Sequence, residues 1–362
     1  MSDVAETAEL TTSPPLSRKD FVSDQMVRWC PGCGDYAILA TMQRTLPELG
    51  ILRENIVFIS GIGCSSRFPY YMNTFGMHSI HGRAPTFATG LKLAQPDLTV
   101  FVITGDGDGL SIGGNHLLHA CRRNVDLNII LFNNRIYGLT KGQYSPTSLP
   151  GHRTKSSPMG SVEQSLNPIS VALAAEATFV ARTIDVHVNH MADVFRASVA
   201  HVGVSFTEIL QNCNIFNDGA WEDVANAKLR AEHTLELEHG KPMVFGAARD
   251  KGIRLSGMLP EVVSLETTPM DQILVHDAHL ESSHLAYMLS RMNRPEFPLP
   301  LGVFRSVERP SFADALIAQT VEARAKQGPG TLRDLIHSGD IWTVGRPGAG
   351  SNGRNGHALD GG

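Results

Sequence analysis

The sequence predicts an α/β protein with a mostly parallel central sheet flanked by helices. Apolar, β-branched runs such as Leu98–Thr104 (LTVFVIT) and Leu127–Asn133 (LNIILFN) lack strict polar alternation, as strands covered on both faces do. Longer stretches with apolar residues at helical spacing separate these runs, the order of repeated βαβ units. A 362-residue chain with 42% hydrophobic and 19% charged residues also has enough apolar side chain for a sizeable core.

Taken in order, residues 1–19 read as a loose polar leader ending beyond Pro14 and Pro15. Asp35–Leu46 reads as a helix and Ile56–Ser60 as a strand. Leu98–Thr104 is a buried strand, followed by a glycine-rich turn and a helix through Arg123. Leu127–Asn133 completes a βαβ unit. Pro168–Ala177 and Met191–Val202 read as helices, Phe179–Ala181 and Ser205–Gln211 as strands. These elements make a main domain over 20–240. Beyond Lys241 the text turns irregular and proline-rich (LPLGVFRSVERPS), which predicts a C-terminal extension over 241–342 wrapping the main domain. The last segment, 343–362, holds seven glycines in twenty residues and reads as a disordered tail.

The formal net charge of −5, with no basic block, argues against general nucleic-acid binding. No apolar run approaches the ~18 residues that span a bilayer. The start, MSDVAETAELTTSPP, lacks the features of a secretory signal, so a cytoplasmic, reducing setting is expected. Its five cysteines are then thiolates, ligands or core residues rather than a disulfide framework.

Cys30 and Cys33 form a CPGC motif, Cys64 lies in GIGCSS and Cys213 in LQNCNIFN. A C-x-x-C turn presents two sulfurs to one coordination sphere, and two more cysteines complete four ligands. Spacing leaves several readings open: a redox dithiol, a structural zinc, an iron–sulfur cluster, or Cys64 and Cys213 as small core residues. Cys121, within HLLHACRR, reads as packing.

The second constellation is Gly105-Asp106-Gly107-Asp108-Gly109 after one strand, with Asn133-Asn134 ending the next. Glycines beside Asp106 admit backbone N–H groups to a diphosphate. Asp106 and Asn134 offer hard oxygens which, with a backbone carbonyl and two diphosphate oxygens, make the near-octahedral shell Mg²⁺ prefers. The strand–helix–strand spacing puts both at the carboxyl edge of one sheet, where α/β proteins bind ligands.

GDG…NN resembles the thiamine-diphosphate signature. Together with CPGCGD, GIGCSSRFP, HGRAPTFATG, GDGDGLSIGGNH, RRNVDLNIILFNN and YGLTKGQYSPT, the chain resembles the β subunit of 2-oxoacid:ferredoxin oxidoreductases, most closely the 2-oxoglutarate type. The resemblance implies a thiamine-diphosphate-binding fold. It implies that Cys30, Cys33, Cys64 and Cys213 hold one [4Fe–4S] cluster, and that Asp106, Asn134 and the Ile136 carbonyl hold Mg²⁺. Diphosphate and thiazolium contacts would fall to Ile62, Gly63, Cys64, Ser65, His81, Gly107, Asp108, Gly138 and Leu139. Lys141 would meet coenzyme A. Arg67, three residues after Cys64, is placed to pair with a second substrate carboxylate, which favours 2-oxoglutarate over pyruvate or other 2-oxo acids.

The implied chemistry is oxidative decarboxylation of 2-oxoglutarate with coenzyme A to succinyl-CoA and CO₂, electrons passing through the cluster to ferredoxin. The chain shows no room for a pyrimidine-binding domain. The resemblance places that domain on an α subunit, in an (αβ)₂ assembly inactive without it. A rival of another class is a non-catalytic iron–sulfur electron-transfer subunit. Asp106 with Asn134 argues against it, because such a protein needs no Mg²⁺ ligands.

Overall fold

The computed structural model describes residues 16–342 and Val344. The leader expected over 1–19 is described only from Leu16, and the tail expected over 343–362 only at Val344. From Leu16 the chain is ordered: Arg18–Phe21 makes a 3₁₀ turn, with Phe21 fully buried.

Among the described residues eleven strands form two sheets. They are β1 (Ile56–Ser60), β2 (Phe75–His78), β3 (Thr99–Gly105), β4 (Asn128–Asn133), β5 (Phe179–Ile184), β6 (Ser205–Leu210), β7 (Thr234–Leu237), β8 (Val244–Phe245), β9 (Lys251–Ser256), β10 (Leu259–Ser264) and β11 (Leu299–Ser306). The main sheet has the order β2-β1-β3-β4-β6-β5-β11-β7. All its pairings are parallel except that of β11 with β5. A second, smaller antiparallel sheet has the order β10-β9-β8.

Alternate side chains of the central strands enter two separate cores. Val57, Ile59, Val100, Val102, Ile129 and Leu131 join one; Ile56, Phe58, Phe101, Ile103, Ile130 and Phe132 join the other. The period-2 geometry of a strand with both faces covered makes its sequence continuously apolar. Helices α1 (Asp35–Thr45) and α5 (Val188–Ala200) cover the second core, while α2 (Ala84–Ala94), α3 (Gly114–Arg122) and α4 (Pro168–Ala174) cover the first. Each fully buried aliphatic or phenyl side chain contributes about 1.5–3 kcal/mol. Cys121, on α3, is fully buried in the first core.

The segment expected as an extension over 241–342 contributes a strand to the main sheet. β11 enters the main sheet between β5 and β7, despite Pro300 and Gly302. Its partners are chosen by long-range pairing, which a local reading does not see. Residues from Leu316 onward form a second unit, holding the later part of helix Phe312–Gln327 and helix Leu332–Ile336. Among the described residues no helix is long and apolar enough to cross a membrane.

Candidate active site

Four parallel strands, β1, β3, β4 and β6, end on the same edge of the sheet. Their carboxyl ends carry Gly61–Ser65, Asp106, Asn134 and Gln211–Cys213 respectively. This edge is where open α/β sheets hold ligands, and two adjoining cavities lie there.

The first cavity, about 140 Å³, is lined by Ile62, Gly63, Cys64, Ser65 and His81, by Asp106, Gly107 and Asp108, and by Asn134, Ile136, Gly138 and Leu139. Every residue expected to touch the cofactor or Mg²⁺ thus faces one space. Asp106 is 2% exposed, and its Oδ2 lies 2.5 Å from the Ser145 hydroxyl and 2.6 Å from that of Thr147. The other oxygen, Oδ1, has no side-chain donor among the described residues. Burial pushes the carboxyl up to about 6, against the hydroxyls that oppose it. Asn134 donates its amide N–H to Gln211 Oε1 (2.9 Å), and its amide oxygen accepts the Ile136 N–H (3.2 Å). Those bonds fix which end of the amide is the oxygen.

The two aspartates of GDGDG differ in environment. Asp108 Oδ1 accepts N–H groups of Ile62 (3.0 Å) and Gly82 (2.7 Å) and lies 2.5 Å from His81 Nδ1; Oδ2 accepts the Thr104 hydroxyl (2.6 Å). The carboxylate therefore ties the β1 and His81 loops to the sheet, and only backbone atoms of residue 108 remain for a diphosphate. With Nδ1 bonded to Asp108, His81 has Nε2 left for the cavity. This N–H···carboxylate arrangement fixes ring orientation, as it does behind metal-bound histidines.

The second cavity, about 200 Å³, is lined by Cys30, Cys33, Cys64 and Cys213, with Arg28, Arg67 and Lys141 at its walls. Three loops meet there. Trp29 Nε1 donates to the Cys64 carbonyl (2.7 Å), Asn214 Nδ2 to the Pro31 carbonyl (2.6 Å), and the Gly34 N–H to the Asn212 carbonyl (3.2 Å). A Cβ on Gly34 would lie 1.9 Å from Asp185 Oδ2, so the loop's approach to the β6 end requires glycine. A Cβ on Gly138 would sit 3.4 Å from Cys64 Sγ and 3.6 Å from Cys213 Sγ, at the space the thiols enclose. Burial raises the Cys33 thiol, and it raises Cys64 to about 12; Asp35 and neighbouring thiols add to both. Without metal these thiols hold their protons, so loading a metal centre releases them.

Arg67 and Lys141 lie on the cysteine cavity, not on the Asp106 cavity; Arg67 Nη1 donates to the Arg28 carbonyl (3.3 Å). Lys141 has φ +76°, a left-handed conformation costing about 1–2 kcal/mol in a residue with a Cβ.

The sequence reading missed Asp35, Tyr137 and Gln211, which line the first cavity, and Ser145 and Thr147, which hold Asp106. Asp35 is 1% exposed and neither oxygen has a hydrogen-bond partner among the described residues. Burial pushes it up to about 7, and the nearby Asp185 adds to that, while the Cys33 thiol pulls down. A carboxyl raised in the folded state binds its proton more tightly than the unfolded chain does. Its stabilisation is full below about 3.8 and lost as pH rises toward about 7. Asp35→Asn in the metal-free chain is therefore expected to gain stability over the parent as pH rises from 5 to 7.5, by on the order of 1 kcal/mol per pH unit at most. Thermal unfolding across that range measures it, and a pH-independent difference would contradict the assignment.

The fold and the Asp106–Asn134 edge define a thiamine-diphosphate-binding domain, here with a four-cysteine pocket beside it. Residues 61–209 match the family model described as thiamine pyrophosphate enzyme, C-terminal TPP binding domain. The chain is 55% identical over 337 residues to the 2-oxoglutarate oxidoreductase subunit KorB of Mycobacterium tuberculosis, covering 92% of this chain and 90% of that one. It is 47% identical over 190 residues to 2-oxoacid:ferredoxin oxidoreductase 1, subunit beta, of Aeropyrum pernix, covering 52% of this chain and 60% of that one. Among solved structures it is similar to the 2-oxoglutarate:ferredoxin oxidoreductase from Magnetococcus marinus with 2-oxoglutarate, coenzyme A and succinyl-CoA bound. That match has a TM-score of 0.70 and 31% identity, covering 91% of this chain and 97% of that one. The chain belongs to the 2-oxoacid:ferredoxin oxidoreductase β-subunit family, and is thus a subunit of an oxidoreductase.

Proposed function

We propose that this chain carries thiamine diphosphate and a [4Fe–4S] cluster in an enzyme that oxidatively decarboxylates 2-oxoglutarate with coenzyme A, forming succinyl-CoA and CO₂ and reducing ferredoxin. One observation carries the reading: Cys64, Asn134, Gly138 and Leu139 line both cavities, so a single wall separates the two sites.

The residues present fit both groups. Asp106 Oδ1, the oriented Asn134 oxygen and the Ile136 carbonyl are the hard donors Mg²⁺ takes. The backbone at 62–65 and at Gly107 faces the same space and suits a diphosphate. Four thiols on three loops suit a cluster. A lone zinc, with Zn–S near 2.3 Å, needs sulfurs about 3.8 Å apart. Among the described residues no three His, Cys, Asp or Glu side chains are set for a single ion.

Bound there, thiamine diphosphate supplies carbanion stabilisation and the cluster a one-electron acceptor. The chain's own residues orient and exclude. Ser145 and Thr147 hold Asp106 in place, and Asp108 fixes the His81 ring at the cavity. Lys141 presents an ammonium suited to coenzyme A phosphates, and its strained backbone is the kind of cost that functional positions carry. Arg67 lies on the cysteine cavity beside Cys64, which lines both spaces, so it would pair with the second carboxylate of a C5 dicarboxylate whose reacting end lies in the Asp106 cavity. The acidic group needed at the cofactor's pyrimidine comes from an α subunit, in an (αβ)₂ assembly. The substrate and coenzyme named for the Magnetococcus structure, and the name of the mycobacterial relative, favour 2-oxoglutarate over pyruvate.

The test is an anaerobic assay with 2-oxoglutarate and pyruvate, coenzyme A and ferredoxin. The chain co-purified with its α subunit is expected to be active, and the isolated loaded chain inactive. Arg67→Ile is expected to lower the 2-oxoglutarate-to-pyruvate ratio of kcat/KM by about 10–100-fold, the scale of a lost charged hydrogen bond. An unchanged ratio overturns the role of Arg67, and oxoacid oxidation by the isolated chain overturns the division of labour.

A further inference from the structure

A third cavity, of about 400 Å³, shares no lining residue with the two cavities at the cofactor edge, although Thr147, which holds Asp106, is part of its wall. It is the size of a small-molecule site. Four guanidinium groups, Arg135, Arg182, Arg291 and Arg294, line it against two carboxylates, Glu208 and Asp223. The balance is two positive charges in excess.

The site is built from the interior outward. Arg182 is 3% exposed; its Nε donates to Glu208 Oε2 at 2.6 Å, and its Nη1 is buried with no partner among the described residues. A buried guanidinium N–H without an acceptor costs about 1–3 kcal/mol and is rare in native proteins, where an unseen water or ion commonly answers it. Glu208 offsets one of the four guanidinium charges, and its Oε1 accepts from Asn133 Nδ2 (2.7 Å), so neither of its oxygens faces Nη1. Arg135 is stacked 3.5 Å over the Trp221 ring and donates to the Ala220 carbonyl (3.2 Å). Burial lowers it only to about 10, so it stays cationic. Arg294 lies 4.0 Å from Asp223 and 3.1 Å from His233, and Arg291 has no acidic partner among the described residues. Trp221, Val224, Leu149 and Leu299 give the same space an apolar wall.

We infer that this cavity binds a small organic dianion, two oxygen-borne negative charges on a short carbon body, at a site separate from the cofactor cavity. Guanidinium forks match carboxylate and phosphate oxygens in pairs, and the excess of two positive charges sets the ligand's charge. Three polar contacts link the cavity to the Mg²⁺ carboxylate: Glu208 to Asn133, Asn133 Oδ1 to the Thr147 hydroxyl (2.9 Å), and Thr147 to Asp106 (2.6 Å).

The test is thermal unfolding of the full chain at constant ionic strength with glycerol 2-phosphate, succinate or chloride. A saturable rise of about 2–5 °C with one of the dianions and not with chloride is expected. The double variant Arg291→Gln/Arg294→Gln, whose residues take no part in the proposed chemistry, is expected to lose it. Which dianion acts separates a phosphate ester from a dicarboxylate. Phenylglyoxal labelling read by mass spectrometry is a second readout that needs no variant: the active dianion is expected to protect Arg291 and Arg294. No saturable effect, an equal effect of chloride (an adventitious ion only), or unchanged labelling overturns the inference. None of these outcomes bears on the oxidoreductase reading, which the oxoacid assay tests separately.

Discussion

Cys213→Ala, purified anaerobically, is expected to fall from about four irons per chain to a small residue and to lose ferredoxin reduction by about a thousandfold or more. Cys213 follows β6, is 9% exposed, and faces the same Gly138 surface as Cys64. Its loop is held in place by Asn217, which donates to the Asn134 carbonyl at 2.9 Å, and by backbone pairing with residue 217. Alanine preserves that loop and removes only the thiolate, so a cluster left with three ligands becomes labile. Cys121→Ala is the matched control. It lies in the core under α3, away from both cavities, and should cost some stability while leaving iron unchanged. Iron analysis with the visible spectrum decides the matter, and a Cys213→Ala protein retaining its iron would remove this residue from the ligand set.

Asp106→Ala is expected to weaken Mg²⁺–thiamine diphosphate binding by about 100-fold or more, beyond the 10–100-fold cost of losing an outer-shell partner. The carboxylate is the one charged ligand the protein gives to the proposed shell, and two hydroxyls hold it in a single orientation. Its removal leaves Ser145 and Thr147 without their shared acceptor, so some loss of stability should accompany the loss of binding. The four thiols stand on other loops and their iron should be retained. Titration of the loaded chain with cofactor, followed by fluorescence or calorimetry, measures this. Undiminished affinity would mean the cation sits elsewhere.

The two predictions act on features the sequence displays unequally. β3 and β4 are legible because strands buried on both faces must be apolar at every position, and such runs stand out. β2 is an exposed edge strand of four residues, FGMH, with no local pattern to mark it. β11 carries a proline and a glycine and pairs with β5, over a hundred residues earlier, so its place depends on the assembled sheet. At the site, CPGC shows its two cysteines by spacing, whereas Cys64 and Cys213 meet them only through the strand order. The two aspartates of GDGDG look alike in one dimension. Folding turns one toward the cavity and spends the other on backbone N–H groups of neighbouring loops. Asp35 was legible as a residue but not as a cavity wall, because its role comes from burial without a partner, a property of the packed state.

The central claim is that cofactor and cluster sites share one wall, close enough for electrons to cross it. Its most direct test is anaerobic addition of 2-oxoglutarate, without coenzyme A, to the complex loaded with Mg²⁺, thiamine diphosphate and iron. The visible absorbance of the cluster is expected to bleach on mixing, and only when thiamine diphosphate is present. Release of CO₂ with the cluster spectrum unchanged would contradict the account.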